Sequence, residues 1–541
     1  MFYNNLIKGN SKTLIIKPVS FDKSHSLDSI NSLEFGTCKQ VYNFACNDGV
    51  LTDNMGVDTQ YEIRYYQNDD INFFKTIPIP DVNDYMHNVF FIDAFDFVDR
   101  VDMSYLLLID GNGFLKYYNL NGAGNDIISI NTNIRFHHDC DAFPVFWRGS
   151  YDVLISGKLE NSAIWYKDTE FGNILSQSDD PKIISMCMYD KRSFAATRKK
   201  KYTIFYSENL DTNTFTIGNE YSGYINLSKD LGACQKLVEY KDKLYVFREY
   251  GISKISKGKD KKDFEVESVL ACKNRISEKS IVNCGDRIMF LTTDGIYEFD
   301  GSKTKKIETK YDNLISNSYQ EFAAGAYFKG NYYVSCKFNF DDGKKIGIEN
   351  NANVFSNNAY LKLNVTNHKI ELIRGIDVVK FIPLQNTYND LMLLIFRDRS
   401  VASRFGILKE CGKIKNKKIM KEWTSKQSDM GYPNKYKFIK EVCFKTKTDV
   451  NLNLYFDDKI KTIKVKGKST MQTIKINQKA KLFGFGFETD EGDTLITCPK
   501  FVVNILWVKI IVLKILYLNR DCLIINQTRF PKSIWISWNQ I

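Results

Sequence analysis

The sequence contains little proline, and its cysteines are not clustered. Its 541 residues include 9 Pro, fewer than half of the roughly 5% that is usual in proteins. The 12 Cys are scattered without a Cys-x-x-Cys pair, which argues against a zinc ribbon, a redox pair and, at this length, a disulfide scaffold. Residues Met1–Asn5 lack the basic and long apolar regions of a secretory signal. We therefore expect a protein that is made and kept in a reducing cytoplasm.

Motifs of the common enzyme classes are also missing. The sequence has no phosphate-binding P-loop, no His-Glu-x-x-His and no Gly-x-Ser-x-Gly. Asp110–Gly113 contains a Gly-x-Gly that we interpret as a hairpin turn, since a third glycine and a following helix are absent. His137–Asp141 is the densest group of metal-ligand residue types, but neighbouring side chains of a strand point to opposite faces. We predict a non-enzymatic protein without a metal site or cofactor.

The composition is that of a globular protein with much β-structure. A hydrophobic fraction of 43% with 26% charged residues excludes global disorder. Aromatic residues make up 14% of the chain, which favours strands over helices. The net charge of +11 is mild at this length, so it permits a polyanionic neighbour without requiring one.

Residues Lys279–Glu308 form the clearest local pattern. Runs rich in Ile, Phe, Tyr and Thr are separated by Gly285–Asp286, Asp294–Gly295 and Asp300–Gly301. Such Asp-Gly pairs are strong hairpin signals because glycine accepts the positive φ of tight turns. The segment therefore predicts a four-stranded antiparallel meander, which must stack on other sheets to bury its faces.

Comparable strands recur along the chain at a nearly constant spacing. A polar turn followed by an apolar strand begins at seven positions that are 40 to 59 residues apart: Ser104, Ser150, Asp190, Asp242, Asp286, Asn331 and Asp390. This spacing is close to the 40–50-residue period of propeller blades. The predicted fold class is all-β: a β-propeller of about seven blades followed by a small antiparallel β-sandwich. The alternative is a series of unrelated hairpins in sandwiches.

The composition and the pattern of apolar residues change after the predicted propeller. Cys411–Lys421 is polar and lysine-rich, and Val450–Phe456 then alternates apolar and polar residues. Phe483, Phe485 and Phe487 alternate with glycine, which places three rings on one face of a strand. The predicted division is an N-terminal arm with the first strands at 1–64, the propeller at 65–410, the linker and sandwich at 411–498, and an atypical tail at 499–541.

The tail, Pro499–Ile541, has no Gly or Glu, a net charge of +5 and three of the six Trp. One interpretation is a membrane segment at Phe501–Leu518, but Lys509 and Lys514 lie inside it. Each central lysine costs about 2.5–3.5 kcal/mol, so we expect no stable membrane insertion. A second interpretation is an amphipathic tail. The third, which we favour, is an out-of-frame end that replaces the natural one.

Basic runs are the candidate contacts to nucleic acid. The first is Arg198, Lys199, Lys200 and Lys201, and the second contains Lys257, Lys259, Lys261 and Lys262. The usual meaning of such a run is a solvated loop. In a ring of several subunits, symmetry would multiply these loops into a positive collar for DNA.

The order of these segments resembles the β-propeller neck and tail-nozzle proteins of short-tailed bacteriophages, including the packaged-DNA stabilisation proteins. The segments that carry the resemblance are Val41–Phe44 with Gly49–Leu51 and Gly56; Tyr189–Phe194 with Ile204–Ser207 and Asp211–Phe215; Asp242–Ile255 with Lys279–Glu308; and Trp423–Lys426 with Gly431–Pro433 and Lys435–Lys437. The tail departs from this family's pattern. The resemblance implies a homo-oligomeric ring, a hexamer by analogy, that joins the portal side of the capsid to the tail.

We accordingly expect a structural virion protein at the head-tail junction, assembled in the bacterial cytoplasm, which lines or seals the DNA channel. Its expected partners are portal, neck and tail proteins and, without sequence preference, double-stranded DNA. The alternative is a propeller that binds a host surface or a glycan. A propeller glycoside hydrolase is the third hypothesis, although Ser207–Phe215 lacks the Gly and Trp of the aspartate-box turn.

Overall fold

The computed structural model describes residues 12–506 with gaps, together with residues 515–518 and 522–525. The gaps longer than three residues are 22–34, 77–85, 97–100, 121–127, 130–134, 157–162, 166–170, 173–182, 208–221, 259–262, 348–356, 386–389 and 398–402. The described residues form β-strands and two short 3-10 helices, Glu278–Ser280 and Asp312–Leu314, and contain no α-helix. The prediction of an all-β chain is confirmed at this level.

Seven strands precede the regular part of the chain. They are β1 (Lys12–Ile16), β2 (Cys38–Tyr42), β3 (Phe44–Asn47), β4 (Val50–Asp53), β5 (Gly56–Asp58), β6 (Glu62–Gln67) and β7 (Asp70–Thr76). Strands β6 and β7 pair only with each other among the described strands, whereas the first five join sheets built by the second half of the chain.

Seven antiparallel sheets then follow one another along the chain. Sheet 1 has β8 (Met86–Asp96), β9 (Val101–Asp110), β10 (Leu115–Asn119) and β11 (Ile128–Ser129); sheet 2 has β12 (Asp141–Trp147), β13 (Ser150–Ser156), β14 (Ala163–Trp165) and β15 (Phe171–Gly172); sheet 3 has β16 (Ile183–Tyr189), β17 (Arg192–Thr197), β18 (Thr203–Tyr206) and β19 (Gly223–Asn226).

The remaining sheets repeat this plan. Sheet 4 has β20 (Cys234–Tyr240), β21 (Lys243–Arg248), β22 (Gly251–Lys257) and β23 (Phe264–Ala271); sheet 5 has β24 (Val282–Asn283), β25 (Ile288–Thr292), β26 (Gly295–Phe299) and β27 (Thr304–Ile307); sheet 6 has β28 (Ala324–Phe328), β29 (Asn331–Cys336), β30 (Ala359–Asn364) and β31 (Ile370–Arg374); sheet 7 has β32 (Asp377–Gln385), β33 (Asp390–Arg397) and β34 (Ser403–Lys409). The predicted meander at Lys279–Glu308 is confirmed as sheet 5.

In sheets 3 and 4 the first two strands are joined by tight hairpins. Asp190 and Lys191 have φ of 48° and 61°, and Lys241 and Asp242 have φ of 51° and 56°. Two consecutive residues with positive φ make the turn whose twist matches that of the flanking strands. Local turn chemistry therefore explains the hairpins that begin these two sheets.

Sheet 7 takes its fourth strand from the start of the chain. β5 pairs antiparallel with β34, so that Val57 lies opposite Leu408. Two short strands, β35 (Lys413–Ile414) and β36 (Lys417–Lys418), extend the same sheet. Sheet 7 also shares an apolar core with sheet 1, in which Leu393 and Ile395 pack with Val89 and Leu108. The last sheet of the series is thus in contact with the first.

Residues from both ends of the chain build a sandwich of two further sheets. Its later strands are β37 (Lys421–Ser425), β38 (Tyr436–Thr446), β39 (Val450–Phe456), β40 (Lys459–Val465), β41 (Lys468–Ala480), β42 (Phe483–Thr489), β43 (Leu495–Thr497) and β44 (Lys500–Leu506). One sheet has the order β2-β37-β42-β39-β40, and the other has β1-β44-β38-β43-β4-β3 with β41 paired to β38. β45 (Ile515–Leu518) and β46 (Cys522–Ile525) pair with each other.

Aromatic rings fill the space between the two sandwich sheets. The predicted face of Phe483, Phe485 and Phe487 is buried there, in contact with Trp423 and Phe501. The alternation in Val450–Phe456 also holds, since every second side chain is buried. Such rings stabilise the core by apolar burial and by edge-to-face packing.

The sandwich differs from the predicted division of the chain at both ends. Residues 12–16 and 38–53, assigned from the sequence to an N-terminal arm, supply four of its strands. β44, assigned to the atypical tail, lies between β1 and β38, and its Phe501, Val503 and Ile505 are buried. Apolar alternation in Lys500–Leu506 therefore belongs to the sandwich, and the out-of-frame interpretation stays a prediction only for residues beyond 506.

Candidate functional site

The first strands of neighbouring sheets lie against one another. β8 contacts β12 and β32, β16 contacts β12 and β20, and β28 contacts β24 and β32. In each sheet the first strand forms one edge, with the later strands following in order. Side chains on these first strands are therefore brought together from parts of the chain that are hundreds of residues apart.

Lys380 on β32 is the centre of a polar group built from three sheets. Its Nζ donates a hydrogen bond to Asn88 Oδ1 of β8 at 2.9 Å and lies 3.7 Å from Asp141 Oδ1 of β12. The same ammonium is 3.8 Å from the centroid of the Phe90 ring, within the range of a cation–π interaction. Asn88 Nδ2 donates in turn to the carbonyl of Cys140 at 2.8 Å.

A second lysine, Lys236 on β20, belongs to the same region. Its Nζ donates to the carbonyl of Ile281 at 2.6 Å. Burial lowers the pKa of Lys236, and the charges of Asp141 and Glu278 oppose this shift. Asp141 thus acts on lysines from sheets 4 and 7, and we call Asn88, Asp141, Lys236 and Lys380 the central lysine cluster.

The surroundings of Lys380 change its ionisation. Burial lowers the pKa of Lys380 to about 8, while the carboxylate of Asp141 opposes the shift. Yet 27% of the side chain remains exposed to solvent. The neutral and the charged forms of this amine are therefore of similar stability near pH 8.

The two predicted basic loops lie at opposite ends of their sheets. Arg198–Lys201 joins β17 to β18 and is exposed, and the carbonyl of Lys201 accepts a hydrogen bond from Cys234 N at the start of β20. Lys257 ends β22, and its Nζ lies 3.0 Å from Asp190 Oδ2, in the hairpin at the other end of β17. The structure therefore does not bring these two sites together.

Most of the remaining basic residues and candidate metal ligands lie in parts of the chain that the structure does not describe. Lys259, Lys261 and Lys262 lie outside the described residues. His137, His138 and Asp139 also lie outside them, while Asp141 belongs to the central lysine cluster. Within the described ranges, no three His, Cys, Asp or Glu side chains are grouped as a metal site.

The sequence interpretation missed the central lysine cluster. One signal was present for Lys380, since it is the single charged residue in the otherwise apolar run Val378–Leu384. Lysine inside an apolar strand is rarely buried without a partner. No comparable signal marks Lys236, because its partner carbonyl and Asp141 come from other sheets.

None of the helices in the described part of the chain is long and apolar enough to span a membrane.

Comparison with known proteins gives no family. No family model matches the chain, and no curated protein matches it either. Among solved structures, a crystal structure of BBS1N in complex with ARL6DN aligns at a TM-score of 0.37 and 8% identity, over 60% of this chain and 92% of that one. The computationally designed Ika8 protein aligns at 0.35 and 8%, over 61% and 98%. At such scores neither similarity bears on function.

Proposed function

We propose that this protein is a structural virion component of the neck or tail of a short-tailed bacteriophage. In this proposal the seven sheets are the blades of a closed β-propeller, and several copies form a ring at the head-tail junction that lines or seals the DNA channel. The ring contacts portal, neck and tail proteins and is assembled in the bacterial cytoplasm. The resemblance of the segment order to this class of proteins supplies the functional assignment.

The observation that supports a mechanical role most strongly is the way both ends of the chain are held. β5 completes sheet 7, which packs on sheet 1, and β1 pairs with β44 across almost the whole length of the sequence. A ring of sheets leaves few exposed edges, and each sheet is supported by its neighbours. Such a body resists opening, as a component of a DNA conduit must.

A partly buried ionic network also connects the sandwich to sheet 6. Arg374, at the end of β31, is 1% exposed at its side chain and makes ion pairs to both carboxylate oxygens of Asp342 at 2.5 and 3.1 Å. Beside it, Lys344 Nζ lies 2.5 Å from Glu422 of β37, which also accepts from Tyr42 of β2 at 2.7 Å. The two parts of the chain therefore share charged contacts, which supports load transfer between them.

The proposal is tested by the assembly state and by the particle. Light scattering after gel filtration and negative-stain images of the purified protein, alone and with portal and neck proteins, should show a ring with a central hole. A persistent monomer in the presence of those partners contradicts the proposal. Binding of the monomer on a glycan array favours the host-surface alternative, and turnover of a glycoside panel favours the hydrolase.

A further inference from the structure

Lysines are concentrated along one edge of the sandwich, in β40, β41 and the turn between them. Residues 459–481 contain eight lysines and no Asp or Glu. All eight are exposed: Lys459, Lys461, Lys464, Lys466, Lys468, Lys475, Lys479 and Lys481. We call this surface the lysine strip. Its eight charges compare with a net charge of +11 for the whole chain, so the excess of positive charge is concentrated here.

Strands of both sandwich sheets form the strip. β40 is the edge of one sheet and β41 pairs with β38 of the other, yet Lys461 Nζ of β40 donates to the carbonyl of Ile476 in β41 at 3.4 Å. Gln472 Nε2 closes the turn between them on the carbonyl of Lys466 at 2.9 Å. The lysines of β40 and β41 therefore share one side of the molecule.

The turn of the strip is held by a close approach of the backbone. A Cβ on Gly467 would lie 2.4 Å from the carbonyl oxygen of Lys447, so a larger residue does not fit there. Gly467 N also donates to Asp449 Oδ1 at 2.8 Å. The strip is thus a formed surface, and Lys466 and Lys468 have fixed backbone positions on either side of the turn.

The lysines of the strip do not pair with carboxylates of the described residues, and the nearby acids have other roles. Asp457 accepts from the backbone amides of Lys481 and Leu482 at 3.1 and 2.7 Å. Glu441 faces Lys475 across β38 and β41, and exposed Asp458 precedes β40. Three acids thus border eight lysines, so the strip keeps an excess of positive charge.

Three features favour a nucleic acid backbone as the partner. The strip has lysine but no arginine, and lysine is a flexible point charge without the rigid fork of arginine. Protein–protein interfaces are depleted in lysine and enriched in arginine and aromatic residues. A membrane-surface element needs a broad apolar face, whereas the large exposed hydrophobic residues here are Ile460 and Met471.

We propose that the lysine strip is the DNA-binding surface of this protein and that it holds the phosphates of duplex DNA without sequence preference. The inference deepens the proposed role in a DNA conduit and rests on it for the biological setting. It moves the DNA contacts from the loops around Arg198 and Lys257 to the sandwich. Alternate residues of a strand are about 6.6–6.8 Å apart, so Lys459 and Lys461 of β40 lie at this spacing on one face of the strand.

The test measures binding of the full chain to a fluorescent 30-base-pair duplex of mixed sequence at several salt concentrations. A strip variant carries Lys464→Gln, Lys466→Gln, Lys468→Gln and Lys475→Gln. A matched control with the same change in charge carries Lys243→Gln, Lys273→Gln, Lys303→Gln and Lys305→Gln in sheets 4 and 5 and the segment between them. A third variant replaces Arg198, Lys199, Lys200 and Lys201 with Gln.

The strip variant should bind at least about tenfold more weakly at low salt, and its slope of log affinity against log salt should fall by about 3 to 4. The matched control should keep both values. No binding by the unmodified chain, an unchanged strip variant, or a loss confined to the Arg198–Lys201 variant overturns the inference. Binding to phosphatidylserine vesicles without binding to the duplex also overturns it.

Ring formation is measured on the same preparations. A failure of the virion role can then be distinguished from a failure of DNA binding by the lysine strip. A strip variant that still forms rings but loses DNA supports both. A chain that binds duplex through the strip but stays monomeric with portal and neck proteins refutes the virion role and leaves the strip intact. Thermal unfolding of each variant confirms that the exposed substitutions leave the fold in place.

Discussion

Asn43 and Arg374, which are 331 residues apart in the chain, exchange two hydrogen bonds. Arg374 N donates to Asn43 Oδ1 at 2.8 Å, and Asn43 Nδ2 donates to the carbonyl of Arg374 at 3.1 Å. Asn43 Nδ2 also donates to the carbonyl of Met420 at 2.8 Å. One amide therefore connects the start of the sandwich, the end of sheet 6 and the segment before β37.

Replacing Asn43 by Ala should lower the free energy of unfolding by about 2 to 4 kcal/mol. The substitution leaves buried backbone groups without partners. In addition, the backbone of residue 43 has a φ of 61°, which Asn adopts more readily than Ala. Urea denaturation measures the change. Asn477→Ala is the matched control, since Asn477 has a φ of 54° but is exposed. Equal losses in the two variants would contradict a role for the Asn43 contacts.

The stability of the protein should carry a contribution from Asp377 that falls between about pH 4 and pH 6. Burial raises the pKa of Asp377 to about 6, although Arg397 opposes the shift, whereas an unfolded Asp titrates near 3.9. The folded state binds this proton more tightly, so the contribution is full below about pH 4 and is lost as the pH rises through 6.

Asp377→Asn should remove about 2 to 3 kcal/mol of this pH dependence. The variant keeps the Oδ1 that accepts from Asn357 N at 3.0 Å. Urea unfolding of both proteins at pH 4, 5, 6 and 7 gives the difference between their free energies of unfolding. Contributions from the acids that both proteins contain cancel in this difference. Asp458→Asn, at an exposed position, should follow the unmodified protein. A constant difference across these four pH values argues against the raised pKa.

Lys380 should react with an acetylating reagent with a midpoint near pH 8, because burial lowers its pKa to about 8 and only the neutral amine is a nucleophile. Tryptic peptides analysed by mass spectrometry give the extent of labelling. Asp141→Asn removes the carboxylate 3.7 Å away that favours the charged amine, so the midpoint should move below 8. A midpoint that stays the same or rises would show that Asp141 does not act on Lys380.

Deletion of residues 499–541 should prevent the sandwich from folding, whereas deletion of 507–541 should not. The longer deletion removes β44, which pairs with both β1 and β38 and buries Phe501, Val503 and Ile505. The shorter one removes only β45 and β46 from the described strands. Limited proteolysis and thermal unfolding distinguish the two. A stable product without β44 would show that Lys500–Leu506 is dispensable.

Individual strands of this protein were predictable because their signals are local. The Asp-Gly turns of Lys279–Glu308 and the alternation of Val450–Phe456 both depend on neighbours within a few residues. Turn geometry and the two-residue period of a strand act at that range. The face of Phe483, Phe485 and Phe487 follows from the same rule, and all three rings are buried.

The central lysine cluster was not predictable in the same way. Asn88, Asp141, Lys236 and Lys380 come from four sheets, and of these only Lys380, inside an apolar strand, stands out in its own segment. The lysine strip had a clear signal, because 459–481 has eight lysines and no acid. The number of charges does not show that these lysines are exposed or that β40 and β41 lie side by side. Both facts come from the structure.

The sequence by itself determined the strands, their hairpins and the all-β class, because these features depend on the side-chain pattern and turn residues of short segments. Only the tertiary structure decided which distant strands share a sheet. Lys12 lies opposite Ile505 and Val57 opposite Leu408, and nothing in either segment names its partner. Apolar burial and backbone hydrogen bonding over the whole chain select those pairs, since both depend on how all of the sheets pack together.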